Sequence, residues 1–256
     1  NPRQVNPNDA MQGSYLGPAY KQDSIENELS TCGARFDAVS ENEMIEQTAQ
    51  ALADGKAIGW FQDRMEFGPR SLGGRSILGD PRSEQMQKTL NLKVKYRESF
   101  RPFAPSVLRE DVSDWFEADY DSPYMLLVDD VKKDKRIEIT KEEESLFGID
   151  KLNVKRSDIP AVTHVDYSAR IQTVHKETNP RYHALITKFK EKTGCSVVVN
   201  TSFNVRGEPI VCTPEDAFKC FMGTELDVLV VGNCVLVKEK QDKSLVEDYK
   251  EKYELD

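Results

Sequence analysis

The sequence predicts an α/β fold, and three observations lead there. Residues 41–54 repeat apolar side chains at helical spacing and run through Gly55 into the apolar stretch AIGWFQ (57–62). CSVVVN (195–200) is β-branched and apolar, the pattern of a strand buried on both faces. Both stretches open into polar loops rich in Gly, Arg, Asn and Ser. Helix, glycine, strand and polar loop is the order of α/β proteins.

The chain has 256 residues, 38% hydrophobic and 31% charged, with a formal net charge of -9. That length holds one large domain or two small ones. No run approaches the eighteen apolar residues of a membrane helix. The amino terminus lacks the pattern of a signal peptide and an initiator Met, as a piece of a longer protein would. The five cysteines have no CxxC spacing and sit in mostly apolar company, which points to reduced, buried thiols and a cytoplasmic setting. No Cys or His pair has ligand spacing, so no metal site is expected. The acidic balance disfavours nucleic acid. A small anion stays compatible with it, because a local arginine cluster dominates at short range.

Taken in order, residues 1–22 read as an irregular arm. A helix follows within 16–30, with Asp23 or Ser24 as its cap. Ala34–Val39 is a short strand or loop. Ser40 caps a helix from Glu41 to Asp54, with Glu43 at the capping-box position and Gly55 past its end. After the strand 57–62 and the Arg–Gly loop, a helix is expected over 83–92. FAPSVL (103–108) is a strand, since Pro102 and Pro105 exclude a helix. A short helix covers 111–119 and a strand 122–132. Residues 132–158 read as a charged, exposed and poorly ordered excursion. Residues 159–175 are a strand pair or a strand with a loop. The helix 183–194 stops at Gly194 and precedes the strand 195–200. Thr213 and Pro214 open a helix over 213–224. Residues 226–238 form a hairpin around Gly232-Asn233, and a charged tail ends the chain.

Two stretches carry the candidate chemistry. GWFQDRMEFGPRSLGGRSILGDPR (59–82) holds Arg64, Arg70, Arg75 and Arg82 among four interior glycines. Glycine lets backbone N–H groups approach a ligand, and arginine presents a planar fork to phosphate or carboxylate. VVVNTSFNVRGEPIV (197–211) ends a buried strand in Asn200, Ser202 and Asn204, where ligands of open α/β sheets gather. Lys93, Lys95, Arg97 and Arg101 form a basic cluster between them in sequence, and THVDYSAR contributes Arg170 and His164. A polar turn with surface ion pairs is the bland alternative for each, and His164 reads as structural. Nucleophile–base signatures and phosphate-binding glycine fingerprints are absent from the sequence. What remains suits group transfer at phosphorus or at a phosphate-activated carbonyl, by positioning and charge neutralisation.

LGPAY, WFQDRMEFGPRSLGGRSILGDPR, KYRESFRPFAPSVL, DYSARIQTV, NPRYHALI and VVVNTSFNVRGEPIVCTPEDAF together resemble the carboxyl-terminal domain of O-carbamoyltransferases of the NodU/CmcH/TobZ type. The resemblance implies a YrdC-like fold, a twisted mixed open sheet flanked by helices. It divides the chain into an arm (1–30) from a missing amino-terminal domain, the YrdC-like domain (31–240) and a tail (241–256). It implies ATP, accompanied by Mg2+, and carbamoyl phosphate as ligands, with carbamoyl-adenylate formed and pyrophosphate released. The missing domain, with its own metal, would pass the carbamoyl group to a hydroxyl. The implied binding residues are Arg70, Lys95, Arg101, Arg170, Asn200 and Ser202, with Lys95, Arg170 and Ser202 closest to the chemistry. Arg75, Arg97 and Asn204 rank second. Asp63, Ser71 and Gly74 stand where the family usually has Gly, Ala and Asn. A non-catalytic nucleotide-binding module, sensor or RNA-related, is the competing reading, and a homodimer stays open.

Overall fold

A computed structural model describes residues 9–246. The strands are β1 (Asp37–Ala38), β2 (Ile58–Phe61), β3 (Arg75–Gly79), β4 (Ala104–Leu108), β5 (Leu127–Asp130), β6 (Ser168–Val174), β7 (Val197–Ser202), β8 (Val228–Val231) and β9 (Cys234–Val237). They form one nine-stranded sheet in the order β1-β9-β8-β2-β3-β7-β4-β6-β5. The β2–β8 and β4–β6 pairs are parallel and the remaining pairs antiparallel, so the sheet is mixed, as expected.

Four helices of ten residues or more flank it: α1 (Gln22–Thr31), α2 (Glu41–Ala53), α7 (Pro180–Thr193) and α8 (Pro214–Gly223). The single-turn helices α3 (Met86–Thr89), α4 (Val112–Trp115), α5 (Lys141–Glu144) and α6 (Ile149–Leu152) lie in the connections. α2 packs on α7, and α1 packs on α8. The buried faces match the helical spacing of the sequence: Met44, Ile45, Ala49 and Leu52 in α2, and Leu185, Ile186 and Phe189 in α7.

Several ends are set by the expected residues. The Ser40 hydroxyl accepts from the Glu43 N–H at 3.3 Å, and Gly55 takes φ 77° beyond α2. Gly194 ends α7 at φ 76°. Thr213 and Asp216 form a reciprocal capping box at α8, with Pro214 in its first turn.

Other expectations need correction. α1 begins after Lys21 and has no side-chain cap, so Asp23 and Ser24 lie inside it. The helix expected over 83–92 shrinks to α3, followed by a wider turn over Leu90–Val94. Residues 132–158 fold back on themselves. Arg136 bridges Ser157, the Ile137 N–H donates to the Arg156 carbonyl at 2.9 Å, and Arg156 and Ser157 are buried. The arm is also built in. Phe67 N–H donates to Ser14 O at 2.8 Å, Gly17 N–H to Met65 O at 2.9 Å, and Leu29 of α1 is fully buried. Residues 1–8 and 247–256, the ends of the expected arm and tail, lie outside the described residues.

Because the Thr213 hydroxyl accepts from the Asp216 N–H, which the helix leaves unbonded, Thr213→Ala is predicted to cost about 1 kcal/mol. Urea unfolding should show this as a lower midpoint at constant slope.

Candidate functional site

The loop between β2 and β3 is organised from inside by one acid. Glu66 is buried, and its Oε1 accepts from the N–H groups of Leu72 and Gly74 at 2.6 Å each and of Arg75 at 3.3 Å. Arg75 is fully buried. Its guanidinium donates to the carbonyls of Gln62 (2.8 Å), Gly74 (2.9 Å) and Pro18 (3.2 Å) and lies 3.5 Å from the centre of the Phe61 ring. Burial lowers its pKa to about 10. Arg75 is therefore a strut of the loop. Gly73 has φ 105°, and a Cβ there would fall 2.2 Å from the Tyr182 ring, so only glycine fits.

The loop is pinned to the sheet by two buried amides. Asn200 of β7 pairs with Leu78 on one side and Ala104 on the other. Its Nδ2 lies 3.1 Å from Ser71 O, 3.1 Å from Ser106 Oγ and 2.9 Å from Gln172 Oε1. Gln172 Nε2 in turn donates to Leu72 O at 2.8 Å, and the Tyr15 hydroxyl donates to the same carbonyl at 2.8 Å. The two sequence-distant stretches thus meet, with Ser71, next to Arg70, seated on Asn200.

Three buried polar atoms around this junction have no hydrogen-bond partner: Ser71 Oγ, Asn200 Oδ1 and Arg170 Nε. Buried polar atoms are normally satisfied, so each of these calls for a water, a ligand or local strain to account for it. Arg170 lies on β6 opposite Val128 of the edge strand β5, and its guanidinium reaches only the sulfur of Met125, at 3.9 Å. Burial lowers its pKa, and the charge of Arg70 lowers it further. Arg70 is exposed and forms no ion pair among the described residues. Two cations within electrostatic reach of one another, neither in an ion pair among the described residues, make a field that an anion would relieve.

Lys95 behaves differently from the expectation of a side chain reaching toward phosphate. It is 3% exposed. Its ammonium bonds the Ser202 carbonyl, Ser202 Oγ (3.2 Å), Asn204 O (2.9 Å) and Asn204 Oδ1 (2.8 Å). Burial, with a smaller contribution from Arg97, lowers its pKa to about 7. Lys95 holds the Ser202–Asn204 turn in shape, and Ser202 Oγ donates to Asn204 Oδ1 at 2.7 Å. Ser202 and Asn200 are two residues apart on β7 and so share a face. Arg97 bonds Asn91 at 2.6 Å and sits over the Phe103 ring. Arg101 is exposed and paired with Glu98 at 3.1 Å, and Arg206 lies 3.7 Å from the same acid.

The structure thus seats Ser71 on Asn200, brings Arg70 within electrostatic reach of Arg170, joins Lys95, Ser202 and Asn204, and leaves Arg97 bonded to Asn91 and Arg101 to Glu98. Sequence reasoning missed Glu66, Gln172 and Ser106, and singled out Ser71 only as a departure from the family pattern. Glu66 alone had a visible signal, as an acid inside an arginine–glycine loop. Asp63 adopts φ 46°, which explains why glycine suits that position, and its carboxylate is matched by Arg181 at 3.3 Å. His164 bonds Ser168 within its own turn. Among the described residues, no group of three or more His, Cys, Asp and Glu gathers to hold a metal, and no helix is long and apolar enough to cross a membrane.

Comparison with known proteins matches residues 49–238 to the family described as carbamoyltransferase C-terminus. An uncharacterized Synechocystis protein, sll1178, is 58% identical over the whole of this chain and 42% of its own length. The nodulation protein NolNO of Sinorhizobium fredii is 40% identical over 91% of this chain and 32% of its own. The 3'-hydroxymethylcephem-O-carbamoyltransferase of Streptomyces clavuligerus is 35% identical over 72% of this chain and 31% of its own. The chain therefore spans less than half the length of these curated relatives.

The electrostatics lead to three predictions. Arg75→Met should cost about 3 kcal/mol, because it leaves buried carbonyls unpaired. Arg70→Met should change thermal stability by less than about 0.5 kcal/mol yet weaken pyrophosphate binding in calorimetry. For Lys95, the folded pKa lies near 7 and the unfolded one at the ordinary 10.5. The unfolded chain then binds more protons between these values, so stability should rise with pH from about 7 to about 10.5. Chemical denaturation across that range should show the rise, and Lys95→Met should flatten it.

Proposed function

The chain belongs to the carbamoyltransferase C-terminus family, and from that premise we propose that it binds ATP and carbamoyl phosphate and forms carbamoyl-adenylate. The observation that carries the reading is the orphan cluster: Arg70 and Arg170 without an acid, beside the unpartnered Ser71 Oγ and Asn200 Oδ1.

The chemistry balances with one water. Cleavage of carbamoyl phosphate releases phosphate and leaves carbamate. A carbamate oxygen attacks the α-phosphorus of ATP, forming the new P–O bond as the bond to the β-phosphate breaks and pyrophosphate departs. Arg70 and Arg170 would neutralise the phosphates as charge moves onto the leaving group. Asn200 Oδ1 can only accept, which suits the carbamoyl NH2 better than a phosphate oxygen. Ser71 Oγ would donate to a phosphate or carbamoyl oxygen, and Ser202 Oγ would do so on giving up its bond to Asn204 Oδ1. Lys95 would act as a positioning residue that fixes Ser202. Arg101 and Arg97 would draw polyanions toward the site. A magnesium ion would be held by the triphosphate itself. Transfer of the carbamoyl group to a hydroxyl would fall to a further, amino-terminal domain, in keeping with the greater length of the relatives.

The test is exchange of labelled pyrophosphate into ATP. Exchange should require carbamoyl phosphate and fall at least tenfold in Arg170→Met. No exchange from folded protein that binds ATP would favour the non-catalytic nucleotide-binding module instead, and exchange that ignores carbamoyl phosphate would contradict carbamoyl-adenylate as the product.

A further inference from the structure

We propose, resting on the functional reading above, that Gln172 is a positioning residue: it sets which end of the Asn200 amide faces the ligand, and thereby selects a carbamoyl donor over an acetyl one.

An amide side chain turns end for end at little steric cost, so its partners decide which end points where. Two amides meet here, and the carbonyls of two consecutive loop residues orient them. Gln172 Nε2 donates to Leu72 O at 2.8 Å. A carbonyl can only accept, so the Gln172 oxygen is turned the other way, to β7 and β4. There Oε1 accepts from Asn200 Nδ2 at 2.9 Å and from the Ser106 hydroxyl at 2.6 Å. Asn200 Nδ2 also meets Ser71 O at 3.1 Å. The Asn200 nitrogen is thereby committed to the protein. Its oxygen, buried and without a partner, is the end left for a ligand.

Gln172 acts in two ways. It accepts from Asn200 directly, and it takes the hydroxyl proton of Ser106. A hydroxyl can donate or accept. With its proton given to Gln172, Ser106 Oγ can only accept from Asn200 Nδ2, at 3.1 Å. Without Gln172, that proton is free to turn to Asn200 Oδ1, and only Ser71 O still holds the amide as it stands. Gln172, Asn200 and Ser106 are all buried, so these bonds are made in a low-dielectric interior where each choice of partner matters.

The consequence is selectivity. Carbamoyl phosphate and acetyl phosphate differ by an NH2 against a CH3 of similar size. The Asn200 oxygen meets the NH2 with a hydrogen bond, and against the methyl it stays a buried acceptor without a partner. A site built to bond a group rejects the analogue that lacks it far more strongly than size alone allows. A nitrogen in the same place would face the NH2 donor to donor, and the preference would be lost.

Calorimetry with carbamoyl phosphate, acetyl phosphate and inorganic phosphate reads this on the full chain. The wild-type protein should bind carbamoyl phosphate at least about tenfold more tightly than acetyl phosphate. Gln172→Met, close in size, should make the two equal and leave inorganic phosphate unchanged. Adding Ser106→Ala to that variant removes the competing donor and should restore the preference, which a loss of packing would not do. Equal affinity for the two acyl phosphates in the wild-type protein, a folded Gln172→Met that keeps the preference, or a folded double variant that does not regain it overturns the proposal while the anion site stands. Should the variants not fold, NMR of the wild-type chain decides. The Asn200 side-chain N–H protons should keep their nuclear Overhauser contacts to Gln172 when carbamoyl phosphate binds, and loss of those contacts overturns the proposal. If the wild-type protein binds neither acyl phosphate, the functional reading fails and the proposal with it.

Discussion

The site depends on one amide. Asn200 sits in the middle of a nine-stranded sheet and uses its Nδ2 to hold Ser71 O, Ser106 Oγ and Gln172 Oε1. This contact makes two distant stretches into one surface, because it fixes the carbonyl next to Arg70 against the end of β7. An amide buried this deeply must satisfy its donors, and the loop backbone and the neighbouring strands satisfy them. Its oxygen is left over. The same residue therefore builds the site and supplies an unused acceptor within it.

Electrostatics explain how an acidic protein can serve anions. The net charge of -9 is a property of the whole chain, whereas Arg70 and Arg170 act on one another locally. The loop acid that could have neutralised them, Glu66, is occupied by backbone N–H groups. Asp63 is directed to Arg181. Two acids of the arginine loop are thus committed to other partners, and neither is in an ion pair with Arg70 or Arg170.

Much of this was legible in the sequence. The β2–loop–β3 and β7 stretches were readable because burial on both faces demands apolar runs, and the Gly–Arg loop and NTSFN turn interrupt those runs sharply. The caps at Ser40, Thr213 and Gly194 follow from local chemistry and stood where expected. What could not be read depends on contacts between distant residues. Lys95, Arg70 and Arg75 are alike as cations in a sequence. Only tertiary packing makes Arg75 a strut, Lys95 a clasp for Ser202 and Asn204, and Arg70 an exposed charge. The excursion at 132–158 reads as exposed in the sequence, and most of it is; its order was not legible, because it rests on pairings across the segment, such as the Ile137 N–H to the Arg156 carbonyl, that charge alone does not announce.

The most direct test of the account is a crystal structure of the chain with carbamoyl phosphate and a non-hydrolysable ATP analogue. The account predicts phosphate oxygens within about 3 Å of both Arg70 and Arg170, with the carbamoyl nitrogen donating to Asn200 Oδ1. Ligands seated elsewhere, such as the groove lined by Cys32, Phe218 and Met222, with Asn200 Oδ1 still unpartnered, would contradict it.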